Sequence, residues 1–248
     1  MTTHAAPHSP EAAQPQIRDV SLTRGSTTVF SNLNLQLEEQ RIGLIGDNGS
    51  GKSSLFRLLC GLDVPQTGTV TLRGLPAHSI SAQHPGLVGM MFQNPDEQII
   101  FPTVEEELAL GLSPRGISRR EALAQARAFL ESRRLGPWAT RTVGSLSQGQ
   151  RQHVCWLALV IASPALLLLD EPFASLDLPG QALLEAEIAR APQQVVVSTH
   201  LLNHVRHFNR VIWLDHGQVR ADGPGLEVCA AYEADVATRI AAQTLSVE

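Results

Sequence analysis

Polar and apolar residues alternate with period two along Val20-Ser21-Leu22-Thr23 and again along Val29-Phe30-Ser31-Asn32-Leu33-Asn34-Leu35-Gln36-Leu37, with Gly25-Ser26 between them. This pattern predicts an antiparallel hairpin from Ile17 to Leu37 with one polar face. Gly68 to Gly74 carries another alternating strand. A second class of segment is apolar without alternation: Arg41-Ile42-Gly43-Leu44-Ile45, Leu87 to Phe92, Leu166 to Leu169, Val195 to Ser198 and Arg210 to Leu214. Such runs fit strands buried on both faces, as in a parallel sheet. Gln218-Val219-Arg220 follows the last of them across the turn Asp215-His216-Gly217. Helical patterns lie at Ser54 to Cys60, Gln148 to Ile161, Gly180 to Arg190, Leu201 to His207 and Leu226 to Leu245. The order predicts an α/β fold with an antiparallel β subdomain near its start.

The pattern changes after Gln93. From about 94 to 143 it is mostly helical and reads as a small helical subdomain inserted between strands, punctuated by Pro114, Gly116, Gly136 and Pro137. Thr103 with Glu106, and Ser118 with Glu121, have the spacing of capping boxes. Glu105-Glu106-Glu107 crowd a first helical turn, where negative charge suits the helix dipole, and a solvated acidic face is the expectation. Residues 1–16 are rich in Ala and Pro and read as a disordered leader. The domain proper is expected over 17–248.

Composition narrows the field. A chain of 248 residues that is 43% hydrophobic can bury a sizeable core. Its formal net charge of −5, without a basic run, argues against a nucleic-acid partner. Cys60, Cys155 and Cys229 are widely spaced and odd in number, which favours small buried thiols over a disulfide or metal site. The longest apolar stretch, Leu157 to Leu169, is broken by Ser163-Pro164 and is shorter than the roughly 18 residues of a membrane span.

The chemistry gathers at Gly46-Asp47-Asn48-Gly49-Ser50-Gly51-Lys52-Ser53-Ser54, which fits the phosphate-loop pattern G-x-x-x-x-G-K-[ST]. An apolar strand precedes it and a helix follows, as the motif requires. Glycines let backbone N–H groups approach an anionic phosphate at the positive end of the helix. Lys52 is then placed for the β- and γ-phosphates and Ser53 for Mg²⁺. Lys52 is also the chain's only lysine; arginine supplies every other basic side chain. Leu166 to Leu169 end in Asp170-Glu171. A buried strand stopping at a nucleotide brings Asp170 within reach of Mg²⁺ and Glu171 toward the γ-phosphate, where a carboxylate can polarise the attacking water.

Leu146-Ser147-Gln148-Gly149-Gln150 opens a helix, so Ser147 and Gly149 stand at a second N-terminus that is either capped by Ser147 or an anion site. Together with Gly46 to Ser53, Gln93, Leu166 to Glu171, Ser175-Leu176-Asp177 and His200, in this order, the stretch resembles the ATP-binding cassette (ABC) ATPases from about Ile17 to Gly223. That resemblance implies a phosphate-loop nucleotide hydrolase core binding ATP and Mg²⁺, in which two cassettes close head to tail. It implies that Ser147, Gly149 and Gln150 meet the ATP of the opposite subunit, that Gln93 reaches Mg²⁺ and the attacking water, that His200 contacts the γ-phosphate and steadies Glu171, and that Asp177 lies at the interface. Two positions depart from the pattern. No aromatic residue stands in Leu22-Thr23-Arg24-Gly25 to stack on adenine, which leaves Arg24 or a weak contact, and Gln148 replaces the commoner glycine.

Gln93 to Glu107, with Ile99-Ile100-Phe101-Pro102-Thr103-Val104 inside it, is similar to the corresponding segment of energy-coupling factor importers and most similar to their biotin branch. Cobalt and nickel importers share most of the pattern. The resemblance implies a transmembrane coupling protein, a substrate-binding membrane subunit, a second ATPase subunit, identical or related, and a peripheral place on the cytoplasmic face of a bacterial inner membrane. The rival from another class is a soluble cassette ATPase of DNA repair or translation, against which the single cassette, short insertion and net charge count.

Overall fold

The computed structural model describes residues 14–113 and 116–245. The expected leader over 1–16 lies outside them up to residue 13, but its end is corrected: Pro15 O accepts from Leu37 N at 2.9 Å and Gln16 opens the first strand. The expected break at Pro114 lies outside the described residues. Strand β1 (Gln16–Arg24) pairs antiparallel with β2 (Thr27–Gln36) across the Gly25-Ser26 turn. Alternation along the two is not strict, because Ile17, Val20 and Leu22 are buried on one and Phe30, Leu33 and Leu35 on the other. Asp19 and Asn32 adopt positive φ, and register shifts there return the apolar residues to one face. The four-stranded sheet is completed by β4 (Thr67–Leu72) and β5 (Leu75–Pro76), in the order β2-β1-β4-β5. Helix α2 (Ala77–Gln83) follows. The last strand and this helix were not expected, being two and seven residues long with little periodicity to show.

The main sheet is built from β3 (Arg41–Ile45), β6 (Val88–Met91), β7 (Leu166–Asp170), β8 (Gln194–Ser198), β9 (Arg210–Asp215) and β10 (Gln218–Gly223) in the order β10-β9-β3-β8-β7-β6. All neighbours are parallel except the β9–β10 hairpin. Successive residues feed two hydrophobic clusters. Ile45, Leu167, Leu169, Val195, Val197, Val211 and Trp213 join one, and Ile42, Leu44, Leu166, Leu168, Val196, Ile212 and Leu214 the other. Opposite pointing of neighbouring side chains on a strand explains why these runs are apolar throughout. Helix α1 (Lys52–Leu59) packs into the second cluster through Leu55, Phe56, Leu58 and Leu59.

Helices α3 (Val104–Leu110) and α4 (Arg119–Ser132) form the helical insertion and pack with α5 (Gln148–Ala162) through Val104, Leu108, Ala122, Ala126, Leu130 and Val154. The insertion closes on itself where Val104 N donates to Arg141 O at 3.1 Å and Val143 N to Pro102 O at 2.8 Å. Ser118 caps α4 as expected, accepting from Glu121 N at 3.2 Å. Thr103 does not cap α3 with its hydroxyl, which donates instead to Glu106 Oε2 at 2.7 Å.

The acidic run is not a solvated face. Glu105 and Glu107 are buried. Glu105 takes a bidentate contact from Arg127 of α4, which holds its carboxyl below the usual carboxylate range. Glu107 Oε2 accepts the N–H groups of Ile100 (2.9 Å) and Phe101 (2.8 Å), pinning the segment before α3. Replacing Glu107 with Ala leaves both donors without their acceptor, so a loss of about 2–3 kcal/mol is expected in urea denaturation. An unchanged midpoint would show that the contact contributes nothing.

Helix α6 (Leu178–Arg190) joins β7 to β8, and α7 (Gly225–Leu245) runs back over β9 and β10. The helix expected from Leu201 to His207 is only a 3-10 turn, Leu202–His204. So few residues form a helix only when packing compels it. Here packing holds the His204 ring flat on Phe173, 3.9 Å between centroids. Among the described residues no helix is long and apolar enough to cross a membrane.

Candidate functional site

Parallel strands put the ends of β3, β6, β7 and β8 along one edge, the place where open α/β sheets bind ligands. The phosphate loop leaves β3 there. Gly46 has φ +142°, and a Cβ on it would lie 2.1 Å from Leu214 O, so only glycine passes. Ser50 N donates to Asp47 O at 3.1 Å, while Gly217 N, from the β9–β10 turn, donates to Ser50 O at 3.1 Å. Asn48 and Gly49 are exposed at the tip, and Ser54 is partly buried in the first turn of α1.

Lys52 is buried and folds back over the loop, its Nζ donating to Gly46 O (2.7 Å) and Asp47 O (3.0 Å). Burial lowers its pKa from the usual lysine value, while Glu171, Asp170 and Asp47 act in the opposite direction. Since Lys52 is the only side-chain amine in the chain, an ATP acyl-phosphate probe should acylate one lysine-containing peptide and be blocked by excess ATP. Labelling that ATP leaves unchanged would remove this residue from the nucleotide site.

Ser53 Oγ donates to Asp170 Oδ2 at 2.7 Å. A hydroxyl and a carboxylate oxygen thus converge beside the loop, an all-oxygen donor set that suits Mg²⁺. Among the described residues there is no cluster of three or more His, Cys, Asp or Glu side chains able to hold a metal.

Glu171 is buried with φ +48°, a conformation that costs a non-glycine residue free energy. The backbone is held there by its N–H on Ser198 O at 2.9 Å. Its Oε2 accepts the His200 N–H at 3.2 Å and lies 2.8 Å from His200 Nδ1. A carboxylate on a strained backbone, fixed by the backbone N–H and ring of a residue just beyond β8, is aimed rather than free. Gln93 is exposed two residues beyond Met91, whose strand partner is Leu169. It therefore leaves the sheet edge beside Asp170 and Glu171.

Ser147, Gly149 and Gln150 form a different constellation. Ser147 Oγ accepts from Gln150 N (3.2 Å) and Gln150 Oε1 from Ser147 N (3.0 Å), a complete capping box on α5. Gln148 donates to Ser175 Oγ at 3.1 Å, linking this helix start to the loop that carries Asp177. Asp177 caps α6, accepting from Gly180 N at 3.0 Å. Among the described residues none of these side chains bonds to the phosphate loop of the same chain. Arg24 pairs with Asp63, which Arg57 also grips, so the guanidinium is tethered beside α1.

Sequence reasoning missed contacts made by residues far away in the chain. Gln181 of α6 donates to Leu176 O (3.0 Å) and meets His204 Nε2 (3.2 Å), bracing the Asp177 loop against the segment after His200. Tyr232 and Arg239 of α7 reach Asp47 inside the phosphate loop. Nothing in their local spacing marks them. The cysteines are unpaired, and burial pushes the Cys60 and Cys155 thiols up to about 12, which makes them poor nucleophiles.

Residues 30–174 match the family described as ABC transporter. The chain is 46% identical over 216 residues to the biotin transport ATP-binding protein BioM of Rhodobacter capsulatus, an alignment covering 87% of this chain and 92% of the relative. It is 33% identical over 232 residues to the energy-coupling factor transporter ATP-binding protein EcfA1 of Enterococcus faecalis, covering 92% and 79%. Among solved structures, the ATP-binding cassette MJ0796, described as dimeric in a post-hydrolysis state with ADP and Pi, superposes with a TM-score of 0.73 at 25% identity, over 85% of this chain and 98% of that one.

Proposed function

The chain belongs to the ABC transporter family and is an ATPase of that family, and from this premise we propose that it powers an energy-coupling factor importer whose cargo is biotin. The observation that carries the reading is the 46% identity to a biotin transport ATP-binding protein over 87% of the chain. A groove supports it. Asp96, Ile99, Phe101, Pro102, Val143 and Arg151 line a depression of about 360 Å³ at the junction of the helical insertion with α5. Glu107 pins the segment carrying Phe101, and Arg151 pairs with Asp96 at 2.9 Å. Apolar Ile99, Phe101, Pro102 and Val143 beside the Asp96–Arg151 pair suit an amphipathic helix from a membrane coupling protein, the partner we assign to it. A separate membrane subunit holds the cargo, and the ATPase sits at the cytoplasmic face of the inner membrane.

At the nucleotide, the loop from Gly46 to Ser54 wraps the phosphates and Lys52 turns from the Gly46 and Asp47 carbonyls to the β- and γ-oxygens. Ser53, Asp170 and Gln93 would hold Mg²⁺, which would supply neutralisation of phosphate charge. Glu171 takes a proton from the attacking water. His200 keeps Glu171 in place and bonds the γ-phosphate. Ser147, Gly149, Gln150 and Asp177 serve the nucleotide of a second ATPase subunit, a reading supported by the lack, among the described residues, of any hydrogen bond from these side chains to their own phosphate loop. Pull-down of detergent-solubilised membrane proteins from the source cells, with mass spectrometry of retained small molecules, tests the reading. Biotin with two membrane subunits is the expected catch. Recovery of cobalt or nickel, or of soluble nucleic-acid-bound assemblies instead, would replace it.

A further inference from the structure

The phosphate loop carries a carboxylate where it must attract a triphosphate. Asp47 immediately follows Gly46, and its own carbonyl is one of the two that hold Lys52. Its side chain is turned outward and held by α7. Tyr232 Oη donates to Asp47 Oδ1 at 2.6 Å, and Arg239 donates to Oδ2 at 2.5 Å and to Oδ1 at 3.4 Å. Arg239 is itself aligned by Asp235 one turn earlier, Nε to Oδ2 at 2.8 Å, and Asp235 by Arg220 of β10 at 2.5 Å. Tyr232 stands edge-on to Trp213 of β9, ring centroids 5.2 Å apart, and Arg220 covers the same indole at 4.4 Å. One helix thus grips the loop carboxylate, and side chains of β9 and β10 brace the two residues that do so.

We propose that Tyr232 and Arg239 are positioning residues of the phosphate loop: they hold the Asp47 carboxylate away from the triphosphate and compensate its charge, so that ATP affinity depends on α7 being docked. The inference rests on ATP binding at this loop. An uncompensated carboxylate there repels the β- and γ-phosphates and competes for the Lys52 ammonium. The hydrogen bonds from Arg239 and then Tyr232 hold the Asp47 carboxyl below its ordinary range, in agreement with the geometry. Asp47 and Arg239 are both about half exposed, so the effect is one of affinity and is sensitive to salt.

The test compares Mg-ATP binding by the full chain and by R239A, Y232F, D47N and D47N/R239A at low and high salt. R239A is expected to weaken binding roughly three- to tenfold at low salt, less at high salt, with kcat at saturating ATP nearly unchanged. Y232F should weaken it about twofold. In the D47N background the arginine should no longer matter. Tyr232 is the only tyrosine, so the ring-carbon resonance of a tyrosine-labelled sample reports on its bond to Asp47 and should move in D47N. Equal affinity of R239A and the unmodified chain overturns the proposal, and so does the same weakening with or without Asp47, which would make Arg239 merely structural. Failure of the unmodified chain to bind Mg-ATP would instead overturn the reading of the loop itself.

Discussion

Glu171→Gln is expected to leave ATP bound and uncleaved, with turnover reduced about 10²–10⁴-fold, the range attributed to a positioned general base. The substitution keeps the shape of the side chain and its capacity to accept the His200 N–H, so the strained backbone at φ +48° has no reason to relax. Only proton acceptance is lost. If ATP closes two cassettes head to tail and its hydrolysis releases them, as the resemblance to cassette ATPases implies, the variant should also elute as a dimer from gel filtration in Mg-ATP and as a monomer without nucleotide. A variant that hydrolyses at the normal rate would transfer the base role elsewhere.

Lys52→Ala acts one step earlier and should abolish ATP retention. Its ammonium is buried against two loop carbonyls, poised to exchange them for phosphate oxygens. Removing it leaves those carbonyls and the triphosphate without their shared cation. Truncating one partner of a desolvated charge pair costs several kcal/mol, so the dissociation constant for Mg-ATP should rise on the order of a hundredfold or more. Isothermal titration measures this directly. Unaltered affinity would mean that the loop does not hold the phosphates.

The buried strands were legible because β9, β3, β8 and β7 each lie between two neighbours in the sheet and feed hydrophobic clusters on both faces, which leaves no polar face to confuse the pattern. The phosphate loop was legible because its glycines and lysine are contiguous. Glu105 and Glu107 were misread for the opposite reason. Their partners, Arg127 on α4 and the N–H groups of Ile100 and Phe101, are brought close by tertiary packing, and a run of carboxylates looks alike whether water or an arginine satisfies it. Asp19 and Asn32 broke the period-two pattern because each inserts a residue at positive φ, a change of phase that alternation alone does not reveal. Tyr232 and Arg239 lie 185 and 192 residues from Asp47, and the alanine-rich helix that bears them shows only its packing face in the sequence.

Sharing of sites between two chains is tested most directly by mixing two inactive variants. K52A lacks the loop lysine and S147R blocks the helix start that serves the neighbour, so neither alone should hydrolyse ATP. In a mixed pair, one site combines an intact loop from the S147R chain with an intact Ser147 and Gly149 from the K52A chain. Turnover should therefore reappear on mixing, whereas a rate equal to the average of the two separate variants would contradict the account.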